Sequence, residues 1–271
     1  MRDGIFLFVV LFFCTVSQGQ VTADMVIKNG RILDGTGNSW YRGDVAVKDG
    51  KILKIGNLQN IQATKTIDAK GLIVAPGFID VHTHIEGDEV KNPTADNFIY
   101  DGVTTVVTGN CGSSVTDIAR YFHQLDSLGL SVNVATLVGH NSVRRAVMGT
   151  ANRQPTEEEM RKMEALVEKA MLDGAVGLST GLIYIPGTYS TTEEVLRLAK
   201  AASRHNGVYA THMRDEGDKI TDAITEALHI GREAGMPVEI SHFKLSGQQN
   251  WGRSAETIPM IIKAREEGLD V

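Results

Sequence analysis

The sequence predicts an α/β protein in which a (β/α)8 TIM-like barrel, truncated after about six strands, follows a small N-terminal β domain. From residue 78 onward, short runs rich in Val, Ile and Thr alternate with segments of helical periodicity. This alternation favours a parallel sheet with right-handed crossovers. The composition, 42% hydrophobic with 28 glycines, suits an α/β protein with many tight turns. Because a closed barrel needs eight strands, we expect the sequence to be the N-terminal part of a longer protein.

Two regions with different patterning follow the N-terminal segment. Residues 24–73 contain short alternating strands and turns, which predict part of a small β-sandwich domain. Asn29-Gly30 and Asp49-Gly50 are dipeptides typical of hairpin turns, and each ends a run of strand-forming residues. Residues 74–271 predict the N-terminal portion of the barrel.

Residues 1–20 predict a secretory signal peptide. An apolar run over residues 5–16 is too short to span a bilayer comfortably, and small and polar residues follow it. We therefore expect an exported protein, periplasmic or secreted. Cys14 raises the alternative of a lipoprotein, although the neighbouring Phe12 and Phe13 do not suit such a site. Once the signal is removed, Cys111 is the single cysteine and no internal disulfide is expected.

Six strands and six helices are predicted along the barrel. Helices begin where a threonine precedes acidic residues, as at Thr156 and Thr192, because the hydroxyl caps the helix and the acids suit its positive end. The predicted strands are 78–84, 104–108, 132–138, 176–179, 208–212 and 238–242. The predicted helices are 95–101, 115–128, 156–173, 192–205, 222–234 and 255–267.

Residues of the types that bind metals end four of these strands. His82 and His84 lie two apart, so on a strand they would face the same side and offer two imidazoles. Cys111, His212 and His242 each follow another strand. A parallel barrel gathers such strand ends at one mouth, where its chemistry takes place. For the His-x-His pair alone, two polar residues at a strand end would be an equally good interpretation.

Several runs of the sequence resemble one known family. The segment 74–84 resembles the amidohydrolase superfamily, and the later runs are similar to its N-acyl-D-amino-acid deacylases, also called D-aminoacylases. The similarity covers roughly residues 24–271. Its most specific part is the Asn-Cys-Gly run together with the two later histidines. The matching runs are Thr-Gly-Asn-Cys-Gly-Ser-Ser at 108–114, Leu-Val-Gly-His-Asn at 137–141, the glycine-rich 177–187, Thr-His-Met-Arg-Asp-Glu at 211–216 and Ile-Ser-His-Phe-Lys at 240–244.

The resemblance implies a metal-dependent hydrolase barrel with a defined ligand set. Cys111, His212 and His242 would hold one tightly bound Zn2+ ion. His82 and His84, sharing Cys111, would form a second and weaker site. In this family the cysteine takes the place of the carboxylated lysine that bridges two metals elsewhere in the superfamily. Thiolate and imidazole together suit zinc.

The resemblance also implies a reaction: zinc-dependent hydrolysis of the linear amide bond of N-acyl-D-amino acids, which gives a D-amino acid and a carboxylic acid. The substrate would be a small molecule. Lys244 would contact its α-carboxylate, and Tyr184 is a second substrate-binding candidate. The general-base aspartate of the family is expected beyond Val271. We therefore expect the sequence as given to be inactive by itself.

Other readings stay open. A cyclic-amide hydrolase of the hydantoinase or dihydroorotase type would need a lysine after the fourth strand, where residues 177–181 have none. A non-catalytic, exported metal-binding fragment is the second alternative. His140, Asp80, Glu86 and the segment 214–216 either serve the site or brace loops. The net charge of −6 and the lack of a basic patch argue against a nucleic-acid partner, and no membrane contact is expected after signal cleavage.

Overall fold

A computed structural model describes residues 22–271. The predicted signal peptide lies outside the described residues, so its assignment stays a prediction. The chain divides into two compact units, one that ends at Pro76 and one that covers Gly77–Val271. Among the described residues, no helix has the length and apolar character needed to cross a membrane.

The N-terminal unit is a single five-stranded sheet. Its first strand pairs antiparallel with the second and parallel with the fourth and fifth, and the third strand extends the sheet beyond the second. Ala23, Val26, Ala46 and Leu58 form its small core. The strands are β1 (Thr22–Ile32), β2 (Tyr41–Lys48), β3 (Lys51–Gly56), β4 (Gln62–Asp68) and β5 (Ile73–Val74).

One of the two predicted hairpin turns is confirmed. Asp49 and Gly50 both have positive φ angles, 51° and 70°, and join β2 to β3 as expected of an Asp-Gly hairpin. The prediction for Asn29-Gly30 is wrong, because β1 continues through both residues with a shift of register there. Asn29 has φ 63°, and its backbone N–H donates to Asp44 at 2.9 Å. The Asn-Gly pair therefore makes a β-bulge rather than a turn.

The second unit alternates strands and helices, which confirms the predicted parallel α/β fold. Parallel pairing links each strand to its neighbours, in the orders β6-β7-β8 and β12-β11-β10-β9. The strands are β6 (Phe78–Asp80), β7 (Val103–Thr108), β8 (Asn133–Thr136), β9 (Val138–Gly139), β10 (Gly177–Gly181), β11 (Val208–His212) and β12 (Val238–Ile240). The helices are α1 (Asp96–Ile99), α2 (Ile118–Leu128), α3 (His140–Met148), α4 (Glu157–Leu172), α5 (Thr192–Ser203), α6 (Ile220–Ala234) and α7 (Ser254–Glu266).

The two parallel sheets meet at Leu137, which lies between β8 and β9. Leu137 N–H donates to Thr108 O on β7 at 2.9 Å, while Val176 N–H, just before β10, donates to Thr136 O at 2.9 Å. The segment 133–139 therefore contacts strands on both sides and changes partner at its middle. Within residues 77–271 the parallel strands form two open sheets rather than a closed barrel.

The structure corrects two of the predicted strands and adds a helix. β6 ends at Asp80, so His82 and His84 lie beyond the strand, and β12 ends at Ile240, before His242. Thr83 N–H still donates to Val107 O and Ser241 N–H to Thr211 O, each at 3.0 Å, but the regular strand pairing ends before the histidines. His242 has φ 35°, which lies outside the range of a strand. The helix α3 was not predicted, because it begins at His140 behind Gly139, with no side-chain cap to mark its start.

Buried apolar faces of α4, α5 and α6 form the main core against the sheet. Thr156 and Glu159 make a capping box at the start of α4, and the Thr191 hydroxyl accepts from Glu194 N–H at the start of α5. These caps fix where both helices begin. The main core consists of side chains such as Met163, Val167, Leu178, Leu198 and Tyr209, all fully buried.

A charged cluster is buried beside this core, between α3 and α5. His140 Nε2 lies 2.9 Å from Glu194 Oε1, and Arg144 forms an ion pair with the other carboxylate oxygen. Arg144 also donates to Arg153 O at 2.6 Å. Burial alone would raise the pKa of Glu194, but the hydrogen bonds and positive charge of His140 and Arg144 outweigh it and lower that pKa. His140 is fully buried, and its contact with Glu194 holds α3 against α5.

We predict that Glu194→Gln lowers the free energy of unfolding at pH 7 by about 3–5 kcal/mol, because it leaves a buried charge without its partner. Because the folded-state pKa of Glu194 is depressed, its contribution is complete above the ordinary value of 4.5 and is lost as the pH falls below it. Urea unfolding from pH 7 down to pH 3 measures both effects. Glu193→Gln, at an exposed neighbour, is the control, and an equal loss in both variants would contradict the prediction.

Candidate metal centre

Five histidine and cysteine side chains meet at the carboxyl ends of the parallel strands. Strand direction explains the gathering, because parallel strands align these ends at one edge. Ligand-type atoms lie within 4.8 Å of one another in each of two overlapping groups. The first group is His82, His84 and Cys111, and the second is Cys111, His212 and His242. Cys111 is thus common to both.

The Cys111 sulfur lies at the middle of the cluster. It is 3.6 Å from His82 Nε2, 3.8 Å from His212 Nδ1 and 3.7 Å from His242 Nε2. The rings of His212 and His242 cross nearly at right angles, with their centroids 4.4 Å apart. His212 is 6% exposed, whereas His84 and His242 are open to solvent. The cluster is therefore buried on the side of His212 and open to solvent on the side of His84 and His242.

Close backbone packing holds the loop that carries Cys111. Cys111 itself has φ 53°, and Gly112 follows with φ 76°. A Cβ on Gly112 would lie 2.6 Å from Gly181 N, and one on Gly181 would lie 2.9 Å from the Cys111 carbonyl carbon. Gly112 N–H donates to Ser179 Oγ at 3.0 Å. Glycine is required at positions 112 and 181 because the two backbone segments touch there.

Helix α3 supports the same loop from behind. Ser142 N–H donates to Gly112 O at 3.1 Å, and Asn141 Nδ2 donates to Gly181 O at 3.0 Å. Asn141 Oδ1 lies 3.2 Å from His140 Nδ1, which links the loop to the buried charged cluster. On the other side, Glu86 Oε1 accepts from Gly109 N–H at 2.7 Å. Glu86 is therefore a brace for the cysteine loop rather than a charge on the rim.

Burial controls the charge of the cluster. It raises the pKa of the Cys111 thiol to about 11, with the negative charges of Glu216 and Glu239 adding to the effect. Burial also lowers the pKa of His212 to about 4 and, together with the neighbouring His242 and His84, lowers the pKa of His82. At neutral pH these imidazoles are uncharged and able to donate a lone pair to a cation.

The donor set fits a zinc ion. With the usual zinc bond lengths, a tetrahedral site places its sulfur and nitrogen ligands about 3.6 Å apart. The three Sγ–N distances of 3.6–3.8 Å match that edge length. The ring nitrogens of His82 and His212 that point away from Cys111 are buried without hydrogen-bond partners among the described residues. Thiolate and imidazole are the ligand types that zinc prefers, and a bound cation would stabilise the thiolate of Cys111.

Both substrate-binding candidates lie beside the cluster. The Tyr184 hydroxyl is 3.4 Å from His212 Nδ1, and its ring is half exposed. Burial, with the nearby Cys111 and Glu216, raises the pKa of Tyr184. Lys244 Nζ lies 3.0 Å from His242 Nδ1, and about half of its side chain is exposed. The structure therefore places one cation and one hydroxyl at the open edge of the cluster.

The remaining candidates have bracing contacts. Asp80 Oδ1 accepts from His82 N–H at 3.1 Å. Arg214 forms an ion pair with Glu226 at 2.8 Å, and Asp215 accepts from Gly217 N–H at 2.7 Å. Glu216 differs from its two neighbours, because its buried carboxylate faces the cluster. The sequence alone grouped Glu216 with the bracing residues, and no periodic pattern could have separated it from them.

A parallel β/α scaffold with histidines and a cysteine gathered at its strand ends is the arrangement of a metal-binding domain of the β/α-barrel class. The model of the amidohydrolase family matches residues 65–261, and the chain belongs to this family. A second model, of the N-terminal domain of the urease alpha-subunit, matches residues 12–81.

Individual relatives are similar over most of this chain. D-Aminoacylase of Alcaligenes xylosoxydans xylosoxydans is 42% identical, over 89% of this chain and 54% of the relative. The solved N-acyl-D-glutamate deacylase from Bordetella bronchiseptica, complexed with zinc and a phosphonate inhibitor, is 39% identical with a TM-score of 0.89 over 92% of this chain and 57% of its own. A D-aminoacylase structure described for its binuclear metal centre is 38% identical with a TM-score of 0.88 over the same shares, 92% and 57%. The chain thus spans about half the length of these relatives.

We predict that Gly112→Ala reduces zinc affinity at least tenfold, because a Cβ there would push the Cys111 loop off the backbone of Gly181. Gly129→Ala is the matched control. Its φ is also positive, at 64°, but no atom lies within 4 Å of the added carbon, so it should cost only about 1–2 kcal/mol of backbone strain. Chelator competition measures zinc affinity, and unfolding measures stability. Equal zinc affinity in the two variants would contradict the role of the close packing.

Proposed function

We propose that this chain provides the metal-binding half of a zinc-dependent hydrolase that cleaves the linear amide bond of N-acyl-D-amino acids. The products would be a D-amino acid and a carboxylic acid. The observation that carries the proposal is the Cys111 sulfur, which lies 3.6–3.8 Å from three imidazole nitrogens, the ligand spacing of a zinc site. Similarity to D-aminoacylase and to N-acyl-D-glutamate deacylase supports the amide substrate.

In this proposal Cys111, His212 and His242 would hold the tighter Zn2+ ion, and His82 and His84 would complete a second site with Cys111. When bound, zinc polarises an acyl carbonyl and lowers the pKa of water toward neutrality. The depressed pKa of His212 and of His82 keeps both rings neutral for this task.

Lys244 gives the site its proposed preference for substrates with a carboxylate. Its ammonium group lies at the exposed edge of the cluster and next to a ligand, so a bound α-carboxylate would bring the neighbouring amide close to the metal. The Tyr184 hydroxyl, at 3.4 Å from His212 Nδ1, would donate to an oxygen of the same substrate. The general base expected beyond Val271 stays a prediction.

The cyclic-amide alternative receives no support from the site. Its bridging lysine would follow the fourth strand of the barrel, and residues 177–181, which form β10, contain only glycine, leucine, serine and threonine. Cys111 occupies the position between the two ligand groups instead. The chain's chemistry therefore favours the deacylase reaction.

We also propose that the protein is exported. The support is the apolar run at residues 5–16 with small and polar residues behind it. A zinc site with a single thiol would suit such a compartment, since Cys111 has no second cysteine within the described residues to pair with. Secretion of the full-length protein, followed by N-terminal sequencing, would test the cleavage site.

We predict that the full-length protein binds zinc and hydrolyses N-acetyl-D-amino acids in preference to the L-isomers. Cys111→Ala should lose both zinc and activity, because the sulfur belongs to both ligand groups. Zinc content and release of free amino acid are the measurements. The control is Ser113→Ala, an exposed position in the same loop. Zinc retained in Cys111→Ala would refute the ligand assignment, and zinc without amide hydrolysis would refute the deacylase reaction.

We predict that Lys244→Met raises the KM for an N-acetyl-D-amino acid about 10- to 100-fold, the loss expected for one charge-assisted hydrogen bond. The KM for the matching carboxamide should change far less, because that substrate has no negative charge. Steady-state kinetics on the two substrates separates these effects. Lys219→Met, at an exposed lysine on the neighbouring loop, is the control. An equal rise in KM for acid and carboxamide would contradict carboxylate binding by Lys244.

A further inference from the structure

Glu216 is a buried carboxylate that faces two of the proposed zinc ligands. It lies on the loop after β11 and is 7% exposed. Its Oε1 is 2.7 Å from His242 Nδ1, its Oε2 is 3.6 Å from His212 Nε2, and the same Oε2 forms an ion pair with Lys244. A carboxylate buried to this degree needs charged or polar partners, and these three side chains supply them.

The two histidines turn opposite nitrogens toward this carboxylate. His242 presents Nδ1 to Glu216 and Nε2 to the Cys111 sulfur, at 3.7 Å. His212 presents Nε2 to Glu216 and Nδ1 to the sulfur, at 3.8 Å. A neutral imidazole has one N–H group, and the nitrogen that faces a carboxylate is the one that keeps it. One carboxylate therefore leaves a different lone pair free on each ring, and both lone pairs face the cluster.

Lys244 depends on the same carboxylate. An ammonium group can only donate, so the 3.0 Å contact of Lys244 Nζ with His242 Nδ1 is a hydrogen bond only while that nitrogen carries no proton. A neutral His242 ring that binds zinc through Nε2 would carry its proton on Nδ1, and this hydrogen bond would be lost. The ion pair with Glu216 is then the contact that holds the ammonium group beside the cluster. His212, His242 and Lys244 thus all contact the same carboxylate, that of Glu216.

The backbone of the loop is fixed independently of the Glu216 side chain. Asp215 Oδ1 accepts from Gly217 N–H at 2.7 Å and from Lys219 N–H at 3.0 Å. Ser246 N–H donates to Glu216 O at 2.6 Å, which ties the loop to the segment after His242. A change of the Glu216 side chain therefore leaves the supports of the loop in place. His212 Nε2 is buried without an aligned hydrogen-bond partner among the described residues, and the group that faces it is Glu216 Oε2, at 3.6 Å.

We propose that Glu216 is a positioning residue that sets which nitrogen His212 and His242 each present to zinc, and that it holds Lys244 beside them. This inference rests on the proposed function for the identity of the metal. It predicts a graded effect of substitution. Glu216→Ala removes both carboxylate oxygens that face the two imidazoles, whereas Glu216→Gln keeps one oxygen as an acceptor for an imidazole N–H group and loses the charge that holds Lys244.

The test is the zinc affinity of the full-length protein, measured by competition with a chelator. We expect Glu216→Ala to bind zinc about 10- to 100-fold more weakly than the parent protein, the usual effect of removing a carboxylate that orients a histidine ligand. Glu216→Gln should lie between the two. Asp215→Asn is the matched control, because its amide oxygen still accepts from the loop N–H groups and its side chain does not face the histidines. Its affinity should be unchanged.

Each outcome separates the inference from the proposed function. Zinc affinity unchanged in Glu216→Ala, or reduced equally in Asp215→Asn, would overturn the positioning role while zinc binding by the parent protein still stood. Equal affinities of Glu216→Gln and Glu216→Ala would overturn the assignment of the accepting oxygen. A parent protein that binds no zinc would instead overturn the proposed function itself. The graded loss with an intact control would establish Glu216 as the shared orienting group.

Discussion

The backbone turn at Cys111 is the constraint on which the cluster depends. A non-glycine residue with φ 53° is uncommon, and here it is held by glycines that let three chain segments approach within backbone contact. Ser179 and Ser142 bond to the backbone of Gly112 in this turn, and Asn141 donates to the carbonyl of Gly181 beside it. If the turn relaxed, the sulfur would leave the centre of the four imidazoles. The close packing of Gly112 and Gly181 thus determines where the Cys111 sulfur lies relative to the imidazoles.

Two clusters of titratable side chains lie near that turn, the ligand cluster and the buried cluster around Glu194. Near the cluster, burial favours the neutral thiol of Cys111 and the neutral ring of His212, so a cation beside the sulfur is needed to stabilise the thiolate that binds a metal. Behind it, the fully buried Glu194 is matched by Arg144 and His140, which leaves no net demand on the ligands. The ligand cluster lacks a stabilising cation without a metal, whereas Glu194 has its charged and polar partners within the protein. This difference distinguishes a binding site from a structural ion pair.

Much of the fold could be predicted from the sequence, since periodic apolar runs and capping threonines mark the strands and helices directly. The gathering of His82, Cys111 and His212 follows from strand ends, which a parallel sheet aligns. The bulge at Asn29 could not be predicted, because the same dipeptide serves turns and bulges alike. Glu216 could not be separated from Asp215 either, since their difference is one of direction within a loop. Side-chain direction in loops is set by packing rather than by local pattern.

The position of Cys111 between its partners has a consequence for chain connectivity. The sulfur is separated from His212 by 101 residues along the chain and from His242 by 131. Only the folded chain brings these three residues together, so the binding free energy of an ion held by them would add to the stability of the folded state. The metal would then hold together the two parallel sheets, one with β7 and the other with β11 and β12, in addition to any chemistry at their edge.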